Sequence, residues 1–156
     1  MTTRLVTPSS KQDWRHARQL VDEYATSLNL DLSFQNLAYE LAHITVEYGP
    51  PTGTFLMAVD KDAYVGCVGL RQFAPGVGEI KRLYVIPAAR GRGIGRVLAR
   101  GIVSVARQLG YAHLLLDTLP SMSEAHSLYA SLGFKPTAAY RYNPVPGTAF
   151  LQLDLR

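Results

Sequence analysis

Thirty-one residues in the middle of the chain, EIKRLYVIPAARGRGIGRVLARGIVSVARQL from Glu79 to Leu109, leave few choices of local structure. Residues 80–85 are mainly β-branched, aromatic or aliphatic, which suits a strand. Pro87 cannot donate to a sheet ladder, so that strand ends near Ile86. Gly91, Gly93 and Gly95 then alternate, removing side chains where a backbone must turn tightly or approach a ligand. Beyond them Ile94, Val97, Leu98, Gly101, Ile102, Val105 and Leu109 recur at i, i+3, i+4 and i+7, one apolar face of a long helix. The segment is a strand, a tight turn and a helix whose N-terminus opens onto the turn.

The first amides of a helix have no intrahelical acceptor and carry the positive end of its dipole, so such a turn suits phosphate. Arg90, Arg92 and Arg96 add charge. Residues 80–116 hold seven basic side chains and no Asp or Glu, whereas the rest of the chain holds nine basic and twelve acidic ones. The net charge of +4 is therefore local, which fits one anion site better than a nucleic-acid coat. Two established phosphate turns do not fit the spacing. A Walker loop requires Gly-Lys-Ser/Thr, which is absent here. The dinucleotide fingerprint requires a longer Gly pattern and an acidic residue about 20 positions later, and the chain runs basic or apolar up to Asp117.

Composition narrows the class. With 156 residues, 47% hydrophobic and 18% charged, one globular domain over residues 1–156 buries a sizeable core. No apolar run approaches the roughly 20 residues of a membrane span, and the first 25 residues lack the apolar core of a signal peptide. The expected address is the cytoplasm, with no membrane partner. One cysteine, Cys67, allows no internal disulfide, and it reads as a small buried hydrophobe. His16, His43, His113 and His126 show no ligand spacing, so no metal is expected.

Taken in order, residues 4–7 suggest a strand, and Ser9 with Gln12 a capping box for a helix with the stripe Trp14, Ala17, Val21, Tyr24 and Leu28. Residues 29–33 interrupt the pattern. A second helix presents Phe34, Leu37, Leu41, Ile44 and Tyr48 before Gly49, Pro50 and Pro51. Residues 54–59 and 64–70 read as a hairpin around Asp60, Lys61 and Asp62, and residues 75–78 as the next turn. After the central helix and Gly110 comes a strand over 112–117, whose run of leucines implies burial on both faces. Ser121 and Glu124 suggest a second capping box for a helix over 122–132. Residues 148–155 form a last strand with Ala149, Leu151, Leu153 and Leu155 inward. The order βααβββαβαβ, with room for a short strand near residues 134–140, defines an α+β fold: a mixed, mainly antiparallel sheet flanked by about four helices.

Arg90, Gly93 and Gly95 match an Arg/Gln-x-x-Gly-x-Gly/Ala turn, and LYASLGF at residues 128–134 follows about 35 residues later. In these two blocks, and in element order over nearly the whole chain, the sequence resembles the GNAT family of N-acetyltransferases. That resemblance implies acetyl-CoA as acyl donor. Its pyrophosphate would lie on Arg90, Gly91, Arg92, Gly93, Ile94, Gly95 and Arg96. Its pantetheine arm would pair with the backbone of Leu83, Tyr84 and Val85, where the family's strand splays from its neighbour.

The resemblance also implies Tyr129 as the acid that protonates the leaving thiolate and Glu79 as the base that deprotonates the amine. Tyr129 also reads as a core aromatic beside Ala125, Leu128 and Leu132, and Glu79 as a solvated strand end or a salt-bridge partner. The family often has Asn seven residues before this tyrosine. Met122 stands there, which leaves Ser121 or Ser123 to replace the contact. An acceptor pocket built from residues 29–33 and 140–147 would place Tyr140, Arg141 and Tyr142 against the substrate, with Arg141 favouring a carboxylate-bearing amine. The implied activity is acetyl transfer to a primary amine, small or amino-acid-like, by direct attack in a ternary complex. A non-catalytic acyl-CoA-binding regulatory module is the alternative, and a homodimer is compatible with either.

Overall fold

A computed structural model describes residues 3–28 and 36–156. The chain runs through β1 (Arg4–Val6), α1 (Lys11–Ser27), α2 (Leu37–Ala42), α3 (Ile44–Glu47), β2 (Thr54–Asp60), β3 (Ala63–Ala74) and β4 (Val77–Val85). After a 3-10 turn at Pro87–Ala89 come α4 (Ile94–Gln108), β5 (His113–Thr118), α5 (Ser123–Ser131), β6 (Lys135–Pro136) and β7 (Ala149–Asp154). The seven strands form one sheet in the order β1-β2-β3-β4-β5-β7-β6. Only β4 and β5 pair in parallel, joined by the α4 crossover, and every other neighbour is antiparallel.

The expected α+β architecture is present, and the element order differs in one place. The second helix is divided at His43, whose φ of −119° and ψ of 26° leave the helical region. Its ring stacks on Tyr39, and Nδ1 lies against the same Tyr39 carbonyl oxygen that accepts from the His43 amide at 3.0 Å. The two-residue β6 before β7 falls within residues 134–140, where a short strand was expected. Phe34 and residues 29–33, expected to open that helix and to line the acceptor pocket, lie outside the described residues.

Both expected capping boxes are corrected. Ser10, not Ser9, caps α1, its Oγ accepting from the Asp13 amide while Asp13 accepts from the Ser9 amide. The reciprocal bond therefore uses the acid one position later than Gln12. No side chain caps α5, because the N-cap position falls on Met122, which has no side-chain oxygen to accept from the first amides. The hairpin is as read: Lys61 and Asp62 have φ of 49° and 68°, the pair of left-handed residues that a type I′ turn needs.

Strand alternation divides the core in two. Leu56, Val68, Leu70 and Ile80 face α4, where Ile94, Leu98, Ile102 and Val103 are buried, and Tyr129 and Phe134 complete that cluster. Phe55, Met57, Cys67 and Tyr84 face the other way, against Ala17, Leu20 and Val21 of α1 and Ile44 and Tyr48. Each fully buried Leu or Ile contributes about 1.5–3 kcal/mol. Gly101 of α4 is needed for the fit, since a Cβ there would lie 2.6 Å from Leu5 Cδ1.

The second face also holds charge. Glu40 of α2, 2% exposed, accepts from Arg82 Nε at 2.9 Å and Nη2 at 3.0 Å. Burial alone would raise the Glu40 carboxyl, but the Arg82 guanidinium outweighs it and holds the group below its ordinary value. A depressed carboxylate contributes stability above its unfolded value, and that contribution fades as the pH falls through the folded one. Glu40→Gln should therefore cost about 3–5 kcal/mol in urea unfolding at pH 7, because it leaves Arg82 buried and unpaired. The difference between wild type and variant should shrink below about pH 4. An equal loss at pH 7 and pH 3 would contradict the assignment.

Candidate active site

Hydrogen bonding between β4 and β5 is confined to one end. The paired residues are Val77–His113, Gly78–Leu114 and Glu79–Leu115, and from Ile80 onward the strands part. On its other edge β4 stays paired with β3 as far as Val85, so only the edge facing β5 is released. A register shift between Cys67 and Gly69 accompanies a left-handed Arg82, φ 62°. This is a β-bulge that sets one extra residue into β4. A non-glycine residue held there costs of order 1–3 kcal/mol, and the bidentate bond to Glu40 keeps Arg82 in place. The Arg82 carbonyl meanwhile accepts from Cys67 Sγ at 3.3 Å, and burial pushes that thiol upward, away from reactivity.

The gap between the diverging strands is a small cleft open to solvent. Ile80, Lys81, Arg82 and Leu83 line it from β4 and Asp117 and Thr118 from β5. Tyr24 closes it from α1, on one face of the sheet, and Met122 and Tyr129 from the α5 side. The Tyr129 ring is 5% exposed and packs edge-on against Phe134 at 5.3 Å. Burial raises its phenol, so it stays protonated throughout the neutral range.

At the far end of β4 the Gly/Arg turn runs into α4. Gly91 and Gly93 have φ of 81° and 78°, and a Cβ on either would meet nothing within 4 Å. The glycines are thus required by backbone conformation and leave the space above them open. Gly93 precedes the first helical residue, Ile94, and no side chain caps this helix, so its first amides face outward. Arg90 Nε donates to the Val85 carbonyl at 3.0 Å, and its guanidinium stacks over Tyr84. Arg92 pairs with Asp60 across the turn, and Arg96 is exposed. Tyr84 itself points away and donates to Glu23 at 2.7 Å.

Glu79 is fully buried beside the cleft. Its Oε1 accepts from Arg71 Nε at 3.1 Å and Arg141 Nη2 at 2.7 Å, and its Oε2 from the Tyr140 hydroxyl at 2.8 Å. Arg71 continues to Glu47 at 3.3 Å and Glu40 at 3.8 Å. Asn143 donates to Asp117 at 3.2 Å, so the segment before β7 is tied to carboxylates on both diverging strands. Burial, then the Glu79 charge, raises the Tyr140 phenol. Tyr142 is 75% exposed and lies apart from this cluster.

The family model described as "Acetyltransferase (GNAT) family" matches residues 14–134. The chain belongs to the GNAT family. It is 41% identical over 146 residues, 92% of this chain and 90% of the other, to a Schizosaccharomyces pombe protein named as an uncharacterized N-acetyltransferase. It is 34% identical over 140 residues to the IAA acetyltransferase of Azospirillum brasilense, covering 88% and 84% of the two chains. Among solved structures, the PaiA N-acetyltransferase of Thermoplasma acidophilum in complex with coenzyme A superposes with a TM-score of 0.76. That match covers 99% of each chain at 17% identity. As a GNAT protein the chain is an acyl-CoA-dependent N-acetyltransferase.

Of the residues expected from the sequence, this GNAT structure brings Glu79, Tyr140 and Arg141 into one bonded cluster and puts Leu83 and Tyr129 on the cleft. It sets Arg90 to Arg96 at the opposite end of β4. The cleft takes Met122 itself, with Ser121 and Ser123 exposed. Reading the sequence missed Arg71, Lys81, Asp117 and Tyr24. Lys81 and Glu79 share a strand face by i, i+2 spacing, the signal that could have found it.

Because Gly93 is required by its φ and not by contacts, Gly93→Val should lower thermal stability by about 1–2 kcal/mol. Gly93→Asn should lose less than half of that. Equal losses in thermal melts would mean that crowding, not φ, sets the requirement.

Proposed function

We propose that the whole chain acts as one catalytic domain that transfers the acetyl group of acetyl-CoA to the primary amine of a small molecule, by direct attack in a ternary complex. The observation that carries this reading is the release of the β4 edge from β5 at Glu79, with the Gly/Arg turn at one end of that edge and Tyr129 beside it. The pyrophosphate lies on the outward amides of Gly91, Gly93, Ile94 and Gly95, with Arg90, Arg92 and Arg96 around it. The pantetheine arm takes the backbone bonds that β5 does not use, at Leu83, Tyr84 and Val85. One of these main-chain amides polarises the thioester carbonyl.

Tyr129 supplies the proton to the departing thiolate. Its raised phenol is a weak acid, so the transfer depends on the thiolate sharing the same low-dielectric site, where burial raises its own proton affinity too. Glu79 attracts the substrate ammonium and receives its proton directly or through a water. Three donors already occupy its oxygens, which leaves one acceptor position for that role. Tyr140 and Arg141 hold Glu79 in place and border the acceptor end.

Incubation with acetyl-CoA and a panel of primary amines, followed by free thiol release, tests the reading. Turnover with at least one amine is expected, and donor binding without turnover by any amine would favour a regulatory acyl-CoA module. Tyr129→Phe should lower kcat by roughly 10²-fold or more while the Kd for acetyl-CoA stays unchanged. A wild-type rate would remove Tyr129 from the acid role.

A further inference from the structure

Two buried cationic side chains line the cleft, Lys81 and Arg82, and the mechanism above uses neither; Arg82 is held by Glu40. The chain has four lysines; Lys11, Lys61 and Lys135 are exposed, whereas Lys81 is 5% exposed and lines the cleft together with Tyr129. The charged and titratable groups around it come from every neighbouring element: Glu79 and Arg82 on its own strand, Asp117 on β5, Arg141 before β7 and Glu40 on α2. Tyr24 and Tyr129 complete the lining from α1 and α5. Both guanidiniums near it are engaged with carboxylates, Arg82 with Glu40 and Arg141 with Glu79. Among the described residues Lys81 itself forms no salt bridge.

An ammonium buried without a salt bridge loses hydration that the Glu79 and Asp117 carboxylates nearby only partly offset. Burial, and then the nearby Arg82 charge, push Lys81 down to about 8. An exposed lysine ionises near 10.4, so at pH 7 Lys81 holds roughly 10²-fold more of the neutral, nucleophilic amine. The cleft thus contains a primary amine of the reactive form, already positioned, where the donor reading above puts the thioester.

We propose that Lys81 is an internal acyl acceptor: when acetyl-CoA occupies the cleft and no amine substrate is present, the enzyme acetylates its own Lys81. The inference rests on the donor reading of the preceding section. The Nζ lone pair attacks the thioester carbonyl carbon, an N–C bond forms and the C–S bond breaks. Nζ loses one proton to solvent, and the thiolate gains one from Tyr129, which is restored from solvent. The products are an amide on Lys81 and free CoA, with no oxidant or further reactant involved. The amide is stable, so the modified side chain is a dead end that removes a cation and fills part of the cleft. An amine substrate or excess CoA protects against it.

The test uses the wild-type chain, acetyl-CoA as the only acyl donor, calorimetry for donor binding and peptide mass mapping of all four lysines over time. Lys81 should gain one acetyl group at a rate roughly 10²-fold above Lys11, Lys61 and Lys135. That rate should be independent of protein concentration, suppressed by excess CoA, and rising with pH until it levels off above about 8. Lys81→Arg, which keeps the charge but not the nucleophile, should lose the mark and any time-dependent inactivation by acetyl-CoA. Donor binding with Lys81 unmodified, or acetylation confined to the exposed lysines, overturns the inference alone. A chain that binds no acetyl-CoA overturns both it and the donor reading.

Discussion

Two parallel strands that share hydrogen bonds for only three residues and then part leave a row of backbone amides and carbonyls inside the fold with no strand to pair with. Everything near the cleft follows from keeping that divergence in place. On its opposite edge β4 remains tied to β3, so the strand does not peel away as a whole. The bulge at Arg82 turns the strand where the gap opens, and it requires a backbone conformation that a non-glycine residue does not take unaided. The bidentate bond to Glu40 supplies the missing stabilisation. A single substitution at Glu40 therefore acts on the site although Glu40 itself does not line the cleft.

The same bond belongs to a longer chain of charge. Glu40, Arg82, Arg71, Glu47, Glu79 and Arg141 connect α2, α3, β3, β4 and the segment before β7 through buried or half-buried ion pairs. Three carboxylates meet three guanidiniums. Burying charges costs several kcal/mol per ion, so the network is weak evidence for net stability. It is better understood as a positioning device: each element that borders the acceptor end is fixed to the next by a bond with defined geometry.

How much of this could be read from the sequence depends on the range of the interaction. The strand, turn and helix over residues 79–109 were legible because each signal is local: β-branched residues, a proline, alternating glycines and a 3.6-residue apolar period. The hairpin around Asp60, Lys61 and Asp62 was legible for the same reason. The break at His43 was not, since it leaves the apolar periodicity intact. The caps slipped by a residue or failed because serines at adjacent positions compete, and the N-cap position of α5 falls on Met122. The charge network was invisible because its partners are far apart, 42 residues between Glu40 and Arg82 and 62 between Glu79 and Arg141. Pattern along a chain does not report a pairing of that length. What the sequence did place at the site, Glu79 and Tyr129, came through the resemblance to a family and not through periodicity.

Glu79 and Lys81 show why burial by itself is a poor guide to chemistry. They sit two residues apart on one face of one strand, both buried, and they solve the problem of a buried charge in opposite ways. Glu79 has recruited three donors from three directions, and removing any of them would leave the carboxylate less compensated. Lys81 forms no salt bridge among the described residues, and it responds by giving up part of its charge. A satisfied group is held in one place, which suits orienting a substrate. A group in Lys81's position exchanges protons easily and reacts with what enters the cleft. The difference comes from the partners in reach: Arg71 and Arg141 donate to Glu79, whereas no carboxylate pairs with Lys81 among the described residues, where the strands have already parted. The divergence that opens the cleft is also what leaves Lys81 without a salt bridge.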